Sequence, residues 1–248
     1  MRGHRTVIVV IPARYASTRF PGKALADLGG KSVLRRCYER VAAVVPTESI
    51  YVATDDSRIV DECNRYSMRS VMTSTACLTG TDRVAEVAKL IDSDWYVNVQ
   101  GDEPFLNPSG LRDLLSRLSL VSKDISVFNA YARITDEAEF RSPTVPKVVT
   151  SLDNRLLYVS RAGVPTNKSL QYVSAHRQVG LYAFRKDALA GFAANGSKTP
   201  LESLEDIEIL RFLELGFTVE MIEVPDNGLA IDTPEDLERA RLLLKSVD

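Results

Sequence analysis

The chain has 248 residues, 45% of them hydrophobic and 26% charged, with a net charge of −2. That composition suits a globular α/β enzyme and excludes a disordered polymer, and the near-neutral balance argues against nucleic acid or a membrane surface as partner. No apolar run reaches the length of a membrane span, no signal-peptide hydrophobic region opens the chain, and Cys37, Cys63 and Cys77 form neither a CxxC nor a metal spacing, which together favour a reducing cytoplasm.

Residues 6–11 are almost uninterruptedly apolar and predict a buried strand. The segment that follows carries Arg14, Arg19 and Lys23 around a turn-permissive Pro21-Gly22. Three cations can meet several phosphate oxygens, and a glycine allows close backbone approach. Neither a GxxxxGK[ST] loop nor a GxGxxG fingerprint is present. Taken alone, three scattered cations describe a solvated basic loop better than a phosphate site.

Val33, Leu34, Cys37, Tyr38, Val41 and Val44 recur at helical spacing. Residues 50–53 predict a second strand, residues 57–66 a helix and Ser70–Met72 a third strand. Such alternation implies a parallel sheet covered on both faces, with right-handed crossovers and ligands outside the carboxyl ends of the strands. A polar loop over residues 73–81 leads into a helix with Val84, Val87, Ala88 and Ile91 on one face, with Thr81 or Asp82 as its cap.

Trp95–Val99 predicts a central strand running straight into Gln100-Gly101-Asp102-Glu103-Pro104, followed by a helix at Pro108–Leu120 and a strand at 125–131. Short strands at Lys147–Thr150, Leu156–Ser160 and 178–184 read as a β-rich insertion, about 146–184, inside a single domain spanning 1–248. The chain closes with a helix at 204–215, a strand at 218–224, a loop at 226–232 and a last helix opened by Thr233-Pro234-Glu235-Asp236.

Asp102 follows a buried strand at the carboxyl edge, where a carboxylate is awkward as packing and useful as a cation ligand. Magnesium is usually held by one or two carboxylates plus substrate phosphates. Asp232 ends another strand-following loop; it is either a second ligand or a helix cap, and Thr233 is an equally good cap.

With its flanks, IPARYASTRFPGK (residues 11–23) resembles the signature of the sugar nucleotidyltransferases, and most closely the 3-deoxy-manno-octulosonate (Kdo) cytidylyltransferases, or CMP-Kdo synthetases. The segments YVATDD, GTDRVAEVA, YVNVQGDEPFL, LLYVSR, VGLYAF and AIDTPEDLERA extend the likeness in the family's order, from residue 7 to residue 244. The resemblance implies an α/β fold: a mostly parallel doubly wound sheet of nucleotidyltransferase type with a β-rich insertion for sugar binding and dimerisation. It also implies a cytoplasmic homodimer that uses Mg2+ to move CMP from CTP to the anomeric hydroxyl of a 2-keto-3-deoxy sugar acid, Kdo or a close analogue.

In that likeness Arg14 and Lys23 meet the triphosphate and take part in catalysis together with Asp102 and Asp232, the metal ligands. Arg19, Ser74, Thr79, Gly80 and Thr81 belong to the nucleotide site. Gln100, Arg161, Gln178, Tyr182 and Glu208 fall at sugar positions, and a guanidinium such as Arg161 suits the carboxylate of a 2-keto acid. Read from the residues alone, a surface arginine is the lesser alternative for Arg161, while Tyr182 is equally a strand aromatic and Glu208 equally a helix-surface acid.

Some positions depart from the pattern. Gln178 stands where a histidine is usual, Ile209 where a glutamine is usual, Ser74 where a basic residue is usual and Cys77 where a histidine is usual. Positions 178 and 209 face the sugar in the resembling enzymes, so the catalytic frame is intact while the sugar-recognition shell is altered. A nucleotidyltransferase for UTP or another sugar acid is the first alternative. A binding-only homologue is the second, and the presence of both Asp102 and Asp232 argues against it. No Ser-His-Asp set is evident: His4 falls in a tail expected to be disordered, and His176 is a strand residue or a substrate contact.

Overall fold

The computed structural model describes residues 5–17, 19–121, 124–225 and 229–245; His4 and the first residues of the 226–232 loop lie outside them. The first half alternates strand and helix as its periodicity requires: β1 (Val7–Pro12), α1 (Val33–Ala42), β2 (Ile50–Thr54), α2 (Ser57–Arg65), β3 (Ser70–Met72), α3 (Gly80–Leu90), β4 (Trp95–Val99) and α4 (Pro108–Leu120). The second half adds β5 (Val127–Arg133), α5 (Glu137–Arg141), β6 (Lys147–Thr150), β7 (Leu156–Ser160), β8 (His176–Arg185), α6 (Lys186–Ala194), α7 (Pro200–Glu205), α8 (Ile209–Glu214), β9 (Val219–Glu223) and α9 (Pro234–Lys245).

The sheet runs β3-β2-β1-β4-β8-β5-β9. Pairs β3–β2, β2–β1, β1–β4 and β5–β9 are parallel, and β8 runs against both β4 and β5. The mostly parallel α/β sheet therefore agrees with the expectation from the sequence. The β6–β7 hairpin attaches through β6 to the first residues of β8, while the rest of β8 threads the main sheet.

Alternation along the strands divides the core between two faces. Val9, Ile11, Trp95, Val97 and Val99 pack with Leu34, Tyr38 and Val41 of α1 and Leu111, Leu114 and Leu118 of α4. Val10, Tyr96, Tyr182 and Phe184 point the other way, toward Val84 and Val87 of α3, Leu189 and Phe192 of α6, and Leu210 and Phe212 of α8. Cys37 and Cys63 are small buried packing residues.

Two expectations need correction. The cap of α3 is Thr79, not Thr81 or Asp82: Thr79 Oγ1 accepts from the Asp82 N–H while the Asp82 carboxylate accepts from the Thr79 N–H, a reciprocal capping box. The helix expected at 204–215 is two short helices. Asp206 takes the left-handed conformation (φ 52°) and ends α7, and α8 restarts after Glu208. That break directs the Glu208 side chain at the start of α3.

Candidate active site

The exits of β1 and β4 build the site. Gly22, at φ 74°, donates to the Tyr15 carbonyl at 2.8 Å and folds the basic loop back on itself. A side chain there would require strained backbone and would press on the Tyr15 ring. Gly101 lets the β4 exit lie against that of β1, since a Cβ on it would come within 2.7 Å of the Pro12 carbonyl oxygen. Asp102 thereby reaches Lys23.

Lys23 Nζ donates to Asp102 Oδ2 at 2.5 Å and to Asp232 Oδ1 at 3.0 Å. Arg19 reaches the other oxygen of Asp232 at 3.2 Å. Burial alone would lower the Lys23 pKa, but the two carboxylates outweigh it and raise it. Burial works to raise the Asp232 pKa, yet Lys23 and then Arg19 hold it below the usual carboxylate value. The cap of α9 is Thr233, whose Oγ1 accepts from the Asp236 N–H at 3.2 Å. Asp232 is therefore left facing Lys23.

Arg14, Lys23, Thr79, Gly80, Gln100, Asp102 and Asp232 line one cleft, joined by Cys77 and Arg83. Arg14 is exposed at its mouth. Thr81 is buried one residue beyond the lining, and Ser74 is exposed, giving its N–H to Glu86 Oε2 at 2.7 Å. Burial, then Glu86, pushes the Cys77 thiol up to about 11.

Behind this wall the Gln100 amide donates to Glu208 Oε1 at 3.4 Å, and Glu208 Oε2 accepts from the Thr81 N–H at 3.0 Å. Burial raises the Glu208 pKa against the effect of that bond. Tyr182 is buried beside them, opposite Asn98 in the β4–β8 register. Gln178, half-buried, donates to Asn129 Oδ1 at 2.8 Å. His176 opens β8 and sets its ring edge against Tyr131 at 4.9 Å between centroids.

Arg161 is not among the cleft-lining residues. Its guanidinium donates to the carbonyls of Glu205, Asp206 (3.1 Å) and Pro143 (3.0 Å), closing the end of α7. Arg161 and Arg14 both act on the Asp206 carboxylate, whose pKa is lowered first by Lys198. Ile209 differs from the expected sugar-facing position: it is completely buried in the apolar cluster with Leu210 and Phe212.

Sequence reasoning passed over three residues. Arg83 donates to Thr73 Oγ1 and to Asp55 Oδ2, both at 2.7 Å, and so fixes the base of the 73–79 loop. Glu103 accepts from the Gly180 N–H at 3.0 Å, and burial, then the Asp102 charge, pushes its pKa up to about 7. Asn98 is fully buried, and neither atom of its amide has a protein partner among the described residues. All three stood inside quoted motifs, but a strand asparagine and a helix arginine carry no distinguishing local pattern.

Two carboxylates converging on one ammonium make a good seat for a cation. Both donors are oxygen, which suits magnesium, and among the described residues no set of three or more acidic, cysteine or histidine side chains is arranged for a metal. Such an ion would complete its shell with substrate phosphates and water. The arrangement joins that seat to Arg14 and to a helix start at Gly80, a combination able to accept the oxygens of a polyphosphate.

Comparison with known proteins gives concordant results. The family model described as "Cytidylyltransferase" matches residues 8–222. The 3-deoxy-manno-octulosonate cytidylyltransferase of Geobacter metallireducens is 41% identical, with 94% of this chain and 95% of that protein covered. The enzyme of the same name from Flavobacterium johnsoniae is 40% identical, with 97% and 99% covered. The solved structure of a CMP:2-keto-3-deoxy-manno-octonic acid synthetase complexed with CTP superposes with a TM-score of 0.90 at 33% identity, covering 98% of this chain and 100% of that one.

Proposed function

This chain belongs to the cytidylyltransferase family, and from that premise we propose that it transfers a cytidylyl group from CTP to the anomeric hydroxyl of 3-deoxy-manno-octulosonate, releasing pyrophosphate. The observation that carries this reading is the meeting of Lys23, Asp102 and Asp232, drawn from the two ends and the middle of the chain, in the cleft that Arg14 also lines. The sugar oxygen forms a bond to the α-phosphorus, the bond to pyrophosphate breaks, and the hydroxyl proton leaves to solvent. No covalent enzyme intermediate is needed.

Asp102 and Asp232 would hold the magnesium, which when bound lowers the pKa of the sugar hydroxyl and withdraws charge from the phosphate oxygens. Lys23 and Arg14 neutralise charge on the phosphates and the leaving pyrophosphate, so catalysis is mainly electrostatic and positional. Arg19, Ser74, Thr79, Gly80 and Thr81 frame the nucleotide. Gln100, Gln178, Tyr182 and Glu208 address the sugar. Arg161 takes the sugar carboxylate by exchanging the carbonyls that its terminal nitrogens hold.

Within the same reading the protein is one catalytic unit, working as a cytoplasmic homodimer. The exposed Leu152 and Leu157 around the β6–β7 hairpin offer apolar surface to a second copy, and three free thiols suit a reducing compartment. Among the described residues no helix is long and apolar enough to cross a membrane.

Pyrophosphate release, measured with CTP or UTP and with Kdo or related 2-keto sugar acids, tests the reading. CTP with Kdo should give the highest kcat/KM. Faster turnover with UTP, or with another sugar acid, would replace the proposed substrates.

A further inference from the structure

One buried ion network has no part in the chemistry above, and it lies directly behind the cleft wall. Arg211, on α8, has its side chain only 1% exposed. Its Nε and Nη2 donate to the two oxygens of Glu202, each at 2.6 Å, and its guanidinium stacks on the Phe192 ring at 3.7 Å. Its remaining terminal nitrogen reaches Asp82 Oδ1 at 3.2 Å.

Both carboxylates are already in use. Asp82 Oδ2 accepts from the N–H (2.8 Å) and the hydroxyl (2.9 Å) of Thr79 in the capping box of α3. Glu202 Oε2 accepts from the Thr199 N–H at 3.1 Å in the capping box of α7. Arg211 thus joins two helix starts. The first carries the Cys77–Gly80 side of the cleft. The second belongs to the short helix whose last carbonyls receive Arg161.

Burying an arginine with a glutamate is a poor way to gain stability, because desolvation consumes most of the attraction, whereas the fixed fork of a guanidinium is well suited to setting geometry. We propose that Arg211 is a positioning residue for the nucleotide wall of the cleft: acting through Asp82, it sets where Thr79 and Gly80 stand relative to Lys23 and Asp102. The inference rests on the cleft being the CTP site. Glu208 secures the same turn from a second direction, by accepting from the Thr81 N–H, so loss of Arg211 should misplace the wall without melting it.

Two variants and two readouts test it. Arg211→Lys keeps the charge but loses the fork. Asp82→Asn leaves the buried Arg211–Glu202 pair intact, and so remains informative if the first variant fails to fold. Hydrogen–deuterium exchange reports the amides of residues 79–82, and steady-state kinetics separates KM from kcat. Exchange at these amides should rise in both variants while that of β2 stays unchanged. The KM for CTP should rise on the order of 10-fold, with kcat changed less than about threefold, because the displaced wall weakens nucleotide binding while Lys23 and Asp102 keep their places. Unchanged exchange in both variants, or a fall in kcat with the CTP KM unchanged, would overturn the role. If the wild-type protein turns over no CTP, the proposed function fails, and the exchange measurement still decides whether Arg211 fixes the wall.

Discussion

Ile231 donates its backbone N–H to the carbonyl of Asp102 at 2.9 Å. This single bond ties the loop after β4 to the loop before α9, and it fixes the residue next to Asp232 against the residue whose carboxylate Lys23 also holds. Two acids far apart in sequence therefore face one ammonium through backbone geometry as well as through charge.

Replacing either acid should stop turnover while leaving the fold in place. Asp102→Asn and Asp232→Asn each remove charge from the proposed cation seat, and a loss of about 10²-fold or more in kcat is expected. Pyrophosphate release with saturating magnesium, alongside far-ultraviolet circular dichroism, is the measurement. Near-normal rates in both variants would remove the pair from the mechanism.

Arg14→Ala and Lys23→Ala should weaken CTP more than the sugar acid, since both cations face the proposed phosphate path. Calorimetric titration with CTP decides it. Unchanged affinity in both variants would make the basic segment an ordinary solvated loop.

Cys77 lines the cleft, yet its thiol should be a slow nucleophile. Burial, then Glu86, pushes its pKa up to about 11, so the folded protein disfavours the thiolate. At pH 8 only about one thiol in a thousand would be ionised. Alkylation by iodoacetamide should accelerate as the pH rises from 8 toward 11, and CTP should protect the residue. Rapid labelling at pH 7 would contradict this.

Ile209→Gln, which restores the residue usual in the resembling enzymes, should destabilise this protein. The side chain is fully enclosed by apolar neighbours, and burying an amide without partners costs about 1–3 kcal/mol. Urea unfolding should show a lower midpoint with little change in slope. An unchanged midpoint together with higher Kdo turnover would show that position 209 addresses the sugar.

Glu208→Ala should loosen the start of α3. It removes the acceptor of the Thr81 N–H, and leaving such a donor buried and unpaired costs about 1–3 kcal/mol. Glu208→Gln, which keeps an acceptor oxygen, should recover most of that loss in the same unfolding experiment.

Local chemistry made much of this molecule legible from sequence. The apolar runs gave β1, β2 and β4 within a residue or two, and Pro108–Leu120 and Ser70–Met72 fall where periodicity puts them. Asp102 stood out because a carboxylate just after a buried strand is awkward as packing, and the Thr233-Pro234 helix start because helix ends demand particular residue types. The basic loop stood apart from a solvated one only through its resemblance to a family signature. Contacts between distant segments were not written locally. Nothing near residue 209 announces that it faces the core rather than a ligand, because an isoleucine at a helix start serves either end. The division of 204–215 into two helices turned on the left-handed Asp206, a conformation that an aspartate tolerates but does not dictate. The choice between Asp232 and Thr233 as the cap of α9, left even by the sequence, was settled by the Thr233 hydroxyl, which accepts from the Asp236 N–H. Arg161 was legible as an arginine suited to a carboxylate, but the unsatisfied carbonyls at the end of α7 claim its guanidinium in the folded chain. Sequence thus determined which chemical groups were available, and tertiary packing decided which of them meet, because burial leaves each polar group to find its partner wherever the fold brings one within reach.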